Sequence, residues 1–207
     1  ELRAYDTFGA LTNHFGTKIN TFLSQLLTEN TIESSYKSSI SNVWKDRLAK
    51  HQEYTAKIPF SDFKVFDFIC QNVPKNSQLQ VSNSSAIRYL QLFDLDKSIQ
   101  VFCNRGTSGI DGSTSTAIGA ALASDLPTML ITGDISFLYD SNALWNNYIP
   151  KNFKIILLNN RGGGIFRILP GHQETETFNT YFETSHQLNA SHLAKMFGLD
   201  YFEANDE

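Results

Sequence analysis

Cysteine, positive charge and long apolar runs are all in short supply in this chain, and each shortage removes a class of explanation. Only Cys70 and Cys103 occur among 207 residues. They form no C-x-x-C pair and join no Cys/His run at zinc spacing, so they read as structural thiols of a reducing compartment. Lys and Arg number 17 against 21 Asp and Glu, a formal charge of -4. Nucleic acids and anionic membranes draw on clustered cations, so neither is expected as a partner, and an anionic ligand has to meet a local pocket. No apolar stretch approaches the roughly 18 residues of a membrane helix, so no stable membrane insertion is expected. The opening run Glu1 to Asp6 lacks the apolar segment of a secretory signal, and a cytoplasmic location is the expectation. A start at Glu1 without Met and an end at Glu207, just past a strand-like Leu199 to Phe202, suggest a chain cut from something larger.

What is present describes a globular protein: 41% hydrophobic and 18% charged residues, with 16 Phe, proportions that supply a core rather than a disordered tail. Length allows one full domain and part of another, and no internal repeat is visible. Phe15, Ile19, Phe22, Leu23 and Leu26 fall at helical spacing, as do Tyr36, Ile40, Val43, Trp44 and Leu48, so two amphipathic helices are predicted. The polar stretch Gln52 to Pro59 loses that rhythm and reads as a linker. It divides residues 1-57, helical, from residues 58-207.

Beyond it, Ser61 is placed to cap a helix carrying Phe63, Phe66, Ile69 and Val73, which Pro74 stops. Apolar runs at Leu79–Val81, Ile99–Cys103, Met129–Thr132 and Lys154–Leu158 then alternate with helical stretches at Ser84–Phe93, Ser113–Ala123, Phe137–Tyr148 and Ser191–Phe197. That alternation predicts an α/β fold, a parallel sheet with helices on both faces. Such sheets bind ligands at the carboxyl ends of their strands.

The loops at those ends are rich in glycine, hydroxyl, amide and arginine side chains. Gly133-Asp134 closes one strand and Asn159-Asn160 the next, and the length of one βαβ unit puts the two pairs side by side. A carboxylate and a carboxamide are hard oxygen donors suited to Mg²⁺, which keeps waters and bridges to phosphate groups. Gly133, Gly162, Gly163 and Gly164 allow close backbone approach to a diphosphate, and a helix starting near Ser136 aims its amides there. Ile135 requires a negative φ in this arrangement.

A Gly-Asp pair followed at this distance by Asn-Asn resembles the motif of the thiamine-diphosphate-dependent enzymes. The resemblance implies Mg²⁺, with Mn²⁺ as a second fit, held by Asp134, Asn160 and the backbone carbonyl of Gly162, and thiamine diphosphate beside Gly133, Asp134, Ile135, Ser136, Asn160, Gly162 and Gly163. Where the broader family usually carries a second Gly, this chain has Ile135. The runs from Asn104 to Gly112, Gly133 to Leu144 and Asn159 to Phe166 are similar to the MenD family of menaquinone biosynthesis. That likeness spans about Asn83 to Phe202, and the helices before residue 58 resemble the close of that family's middle domain. It implies a thiamine-diphosphate-binding fold, here incomplete at its C-terminus.

The same likeness implies decarboxylation of 2-oxoglutarate and transfer of its succinyl unit to isochorismate, with Ser84, Arg88 and Arg105 on substrate carboxylates, since Arg forms two-pronged bonds that Lys cannot copy. Ile110 matches the bulky residue over which the family's cofactor bends, and Ile165, Phe166 and Leu169 match an apolar wall that excludes water. Each also suits ordinary core packing. The family's activating glutamate belongs to an upstream domain and is usually supplied across a subunit interface. Nothing here corresponds to it, Glu33 and Glu53 lying outside any motif, so the chain alone is expected to be inactive and the whole protein a homo-oligomer, a dimer or tetramer. His14, His51, His172, His186 and His192 receive no catalytic role, although His172 lies in a polar loop that could close over substrate. Alternatives stay open: an acetohydroxyacid synthase-like carboligase or decarboxylase, or a non-catalytic domain of this fold. A Rossmann domain is disfavoured because Gly109 and Gly112 lack its spacing.

Overall fold

The computed structural model describes residues 4–29, 35–171 and 174–206. Chain contacts separate two compact units, Glu1–Glu53 and Tyr54–Glu207. The first holds α1 (Ile19–Glu29) and most of α2 (Ser35–Lys57). The expected linker from Gln52 is helical as far as Lys57. Its polar sequence leaves no apolar stripe, and without a stripe the helical period has nothing to show it.

The second unit opens with α3 (Asp62–Asn72), which ends at Val73 before Pro74 as expected. Ser61 occupies the N-cap position, but its side chain makes no capping bond. Then come β1 (Gln78–Val81), α4 (Ser85–Leu90), β2 (Gln100–Cys103), α5 (Ser113–Leu122), β3 (Thr128–Gly133), α6 (Asp134–Tyr139), β4 (Phe153–Leu158), α7 (Ile165–Ile168) and α8 (Ser191–Met196). The strands form one parallel sheet in the order β2-β1-β3-β4.

Alternation along each strand sends side chains to opposite faces. On one face Leu79, Val81, Met129, Ile131, Ile156 and Leu158 pack with Phe66 and Ile69 of α3 and Ala86, Ile87 and Leu90 of α4. On the other, Phe153, Ile155 and Leu157 meet Ile118 of α5, Phe137 of α6, Leu144 and Leu193. Helices therefore cover both faces. Full burial of Phe66, Leu79 and Ile131 stabilises the sheet by about 1.5–3 kcal/mol per side chain.

Two expectations fail locally. The helix expected over Phe137–Tyr148 starts at Asp134 and breaks after Tyr139, a 3-10 turn covering Ser141–Leu144. Asp140, at the break, turns its carboxylate to the backbone N–H and hydroxyl of Ser115, at 2.8 and 2.5 Å. Leu199 to Phe202 is irregular rather than a strand, with Phe202 exposed. Among the described residues no helix is long and apolar enough to cross a membrane.

Candidate functional site

Because β3 and β4 pair with Gly133 opposite Leu158, Asp134 and the Asn159-Asn160 pair leave adjacent strands at the same level. The loop after β1 joins them, and the three borders enclose a cavity of about 270 Å³. Its walls include Ser84, Ile110, Gly133, Asp134, Ile135, Ser136, Asn160, Gly162, Gly163, Ile165 and Phe166. Leu169, half exposed, lies outside that lining. Arg88 and Arg105 are also absent from it.

Of the two buried acids lining the cavity, Glu183 is 5% exposed and Asp134 4%. Its Oδ1 accepts the N–H of Ile135 at 2.7 Å and its Oδ2 the N–H of Gly162 at 3.0 Å. His186 Nε2 lies 3.2 Å from the same Oδ2. Burial pushes the Asp134 pKa up from the ordinary carboxylate value, against the pull of those N–H groups and of His186. The protein thus desolvates this carboxylate more than it compensates it, an environment that a bound cation would reverse. Ile135 lies inside α6, with none of the positive-φ strain that would have argued against it.

Asn160 donates its Nδ2 to Asp62 Oδ2 at 2.9 Å. With the nitrogen engaged, the amide oxygen, the end a hard cation prefers, is left for a ligand. The Gly162 carbonyl accepts the Gly164 N–H at 3.0 Å and retains a second lone pair. Among the described residues no three His, Cys, Asp or Glu side chains cluster as a metal site. A cation here would depend on one carboxylate, one amide, one carbonyl and water, a set that suits Mg²⁺.

The glycines divide by purpose. A Cβ on Gly133 would meet nothing within 4 Å, so the backbone there is open to a ligand. A Cβ on Gly162, where φ is +154°, would lie 2.9 Å from the Glu183 carbonyl oxygen, and one on Gly163 would lie 3.2 Å from the Phe166 ring. One on Gly164 would come within 3.1 Å of Asn160 Nδ2. Besides any diphosphate, these three answer to packing inside the protein itself.

The loop after β1 is held by Asn83, which is 2% exposed. Its Nδ2 donates to the carbonyls of Asn104 and Gly109 at 2.7 and 2.6 Å, and its Oδ1 accepts from Arg105 Nη1 at 3.1 Å. That clamp brings Ile110 to the cavity, where its carbonyl accepts a short hydrogen bond from the Ser136 hydroxyl. Arg88 Nη1 donates to the Ser84 carbonyl at 2.8 Å. Both arginines are therefore tethered to the 83–84 turn, and each keeps further N–H donors. Ser84 itself sits at φ 71°, ψ -135°, backbone that L-residues avoid.

A strap missed by the sequence reading closes one side. Phe178–Phe182 forms a wide π-type turn, and the Glu183 carbonyl accepts the Gly163 N–H at 2.6 Å while the His186 N–H donates to Arg161 O at 3.2 Å. Arg167 adds two bonds to Glu183 Oε1, at 2.8 and 2.7 Å. Asp62, Tyr89, Tyr139 and Tyr181 also line the cavity. Tyr139 belongs to the helix that Asp134 opens, whereas Asp62, Tyr89 and Tyr181 arrive from other segments and no local motif marks them. His172 and Glu33 lie outside the described residues.

A buried carboxylate and an amide thus stand at adjacent strand ends beside a glycine loop. The family described as thiamine pyrophosphate enzyme, C-terminal TPP binding domain, matches residues 83–207. The chain belongs to that family. It is 65% identical to the 2-succinyl-5-enolpyruvyl-6-hydroxy-3-cyclohexene-1-carboxylate synthase of Flavobacterium johnsoniae over 206 residues, 99% of this chain and 37% of that protein. It is 66% identical to the synthase of the same name from Flavobacterium psychrophilum, over 100% of this chain and 38% of that protein. The chain thus spans under two fifths of the length of these relatives. Among solved structures, benzoylformate decarboxylase from Polynucleobacter necessarius shares the fold, with a TM-score of 0.53 and 16% identity over 73% of this chain and 29% of that one.

Proposed function

We propose that the chain is the cofactor-anchoring part of a thiamine-diphosphate- and Mg²⁺-dependent synthase that decarboxylates 2-oxoglutarate and joins the succinyl unit to isochorismate. The observation that carries this reading is the single cavity lined by Asp134, Asn160 and Gly162 together with Ile110, Ile165 and Phe166. The names of the relatives, which give a succinylated cyclohexene carboxylate as what those proteins make, support this choice of substrates.

When bound, thiamine diphosphate supplies the electron sink that decarboxylation of a 2-oxo acid requires. The chain's own residues hold and orient. Asp134, Asn160 and the Gly162 carbonyl would hold Mg²⁺, which would supply positive charge for the diphosphate. Gly133 leaves its backbone open to that diphosphate. Ile110, Ile165 and Phe166 keep water from the reacting end, which strengthens every electrostatic contact within. Ser84 on the cavity wall, with Arg88 and Arg105 tethered to the 83–84 turn outside the lining, would take substrate carboxylates. The tether of Arg88 to Ser84 pre-orients one guanidinium, so less side-chain freedom is lost when a dicarboxylate docks. In the whole protein an upstream glutamate from a partner subunit would complete the site, making it a homo-oligomer.

Calorimetric titration of the whole protein with thiamine diphosphate, with and without MgCl₂, tests the anchor. Binding should require Mg²⁺ and should vanish in Asp134→Ala, which removes the only charged protein ligand. Unchanged affinity in that variant would overturn the assignment. Product analysis with 2-oxoglutarate and isochorismate, against pyruvate as the competing 2-oxo acid, tests the substrate class.

A further inference from the structure

His186 has no place in the reading above, yet it is the side chain that packs against the proposed metal ligand. Its imidazole is 12% exposed and the Asp134 side chain 5%. Nδ1 accepts the backbone N–H of Leu188 at 3.1 Å. An accepting nitrogen carries no proton, so the neutral ring bears its hydrogen on Nε2. Nε2 is buried and makes no aligned hydrogen bond among the described residues, and Asp134 Oδ2 stands 3.2 Å away. The residue is held from two directions: its backbone N–H donates to Arg161 O, and three residues earlier Glu183 is locked to Gly163 and Arg167.

We propose that His186 is a positioning residue for the cation site: its Nε2 stands 3.2 Å from Asp134 Oδ2, beside the Gly162 N–H, as a close electrostatic contact rather than an aligned hydrogen bond, and limits the rotation of the carboxylate. This rests on the reading of Asp134 as a Mg²⁺ ligand. A carboxylate held by one backbone N–H on each oxygen can still tilt in its pocket. A third polar hydrogen beside the carboxylate narrows that freedom before the cation arrives, so less ordering remains to be done on binding. Outer contacts of this kind typically change metal affinity by about 10–100-fold. The ring also ties the strap to the strand end, so the segment that covers the glycine loop and the ligand that it covers are set by one contact.

The test uses the whole protein and titrates MgCl₂ at saturating thiamine diphosphate, following heat and intrinsic fluorescence. His186→Ala should raise the half-saturating Mg²⁺ concentration by about 10-fold or more, whereas His186→Gln, which keeps a donor, should stay within a few-fold of wild type. Thermal unfolding of the apoprotein separates this from a folding defect. If His186→Ala does not fold, His186→Met against His186→Gln makes the same comparison of a filled site with and without a donor. Wild-type Mg²⁺ affinity in the variant lacking the donor, or equal weakening in both, would overturn the proposal. If the wild type showed no Mg²⁺-dependent binding, the reading of Asp134 would fall first and this inference with it.

Discussion

Ser84 carries the clearest tension between stability and use at a single position. Its φ of 71° and ψ of -135° force an L-residue into backbone that costs about 1–3 kcal/mol, and it does so on the cavity wall. Glycine would adopt this conformation freely, at the cost of more chain entropy in the unfolded state. Ser84→Gly should therefore stabilise the folded chain by about 0.5–1 kcal/mol, read as a later urea midpoint with an unchanged slope. Product formation with 2-oxoglutarate should fall in the same variant if the hydroxyl meets substrate. A Ser84→Gly protein that is less stable than wild type would show that the serine is held there by its local contacts and not against them.

At the scale of elements, the short strands and their order along the chain were legible because apolar runs bounded by turns are local signals. So was the placement of Asp134 and Asn160 at neighbouring strand ends, each fixed by the strand it follows. Interactions that complete the site were not, because their partners are remote: Asp62 and Asn160 are 98 residues apart, and Asn83 and Gly109 are 26 apart. The break after α6 is the same lesson. Its apolar pattern continues past Tyr139, but Asp140 is drawn to α5 by Ser115. α5 begins after Gly112, which has no side chain to cap it, and the Ser115 N–H lies in the first turn, where helical donors lack intrahelical acceptors. Asp140 therefore acts as a cap supplied from another element. Asp140→Ala should destabilise the chain by about 1–3 kcal/mol, seen as a lower thermal midpoint. Asp140→Asn, which still accepts a hydrogen bond, should lose less. Equal losses would mean that charge, and not capping, holds the break.

Across the whole molecule, stability should depend on alkaline pH through a group outside the cavity lining. Cys70 lies on α3 and contributes to the core packed on one face of the sheet. Burial, with the nearby Asp67 charge adding to it, pushes its pKa from 9.0 up to about 12. A raised folded pKa means that the folded state keeps its proton after the unfolded state has lost it. The contribution of this thiol is thus fully present below its ordinary value of 9.0 and is lost progressively as pH rises toward about 12. Urea midpoints measured at pH 7, 9 and 10.5 should fall across that window in the wild type and fall less steeply in Cys70→Ala. The comparison of slopes isolates the thiol from lysines and tyrosines, which titrate in both proteins. It also removes the constant loss from the smaller side chain, because that loss shifts every midpoint equally. The same burial predicts slow reaction of native Cys70 with thiol reagents at pH 8 and rapid reaction in denaturant, since the thiolate is the nucleophile. Parallel slopes together with fast native labelling would show that Cys70 meets solvent, and that α3 seals this side of the sheet less tightly than its packing against β1 and β3 indicates.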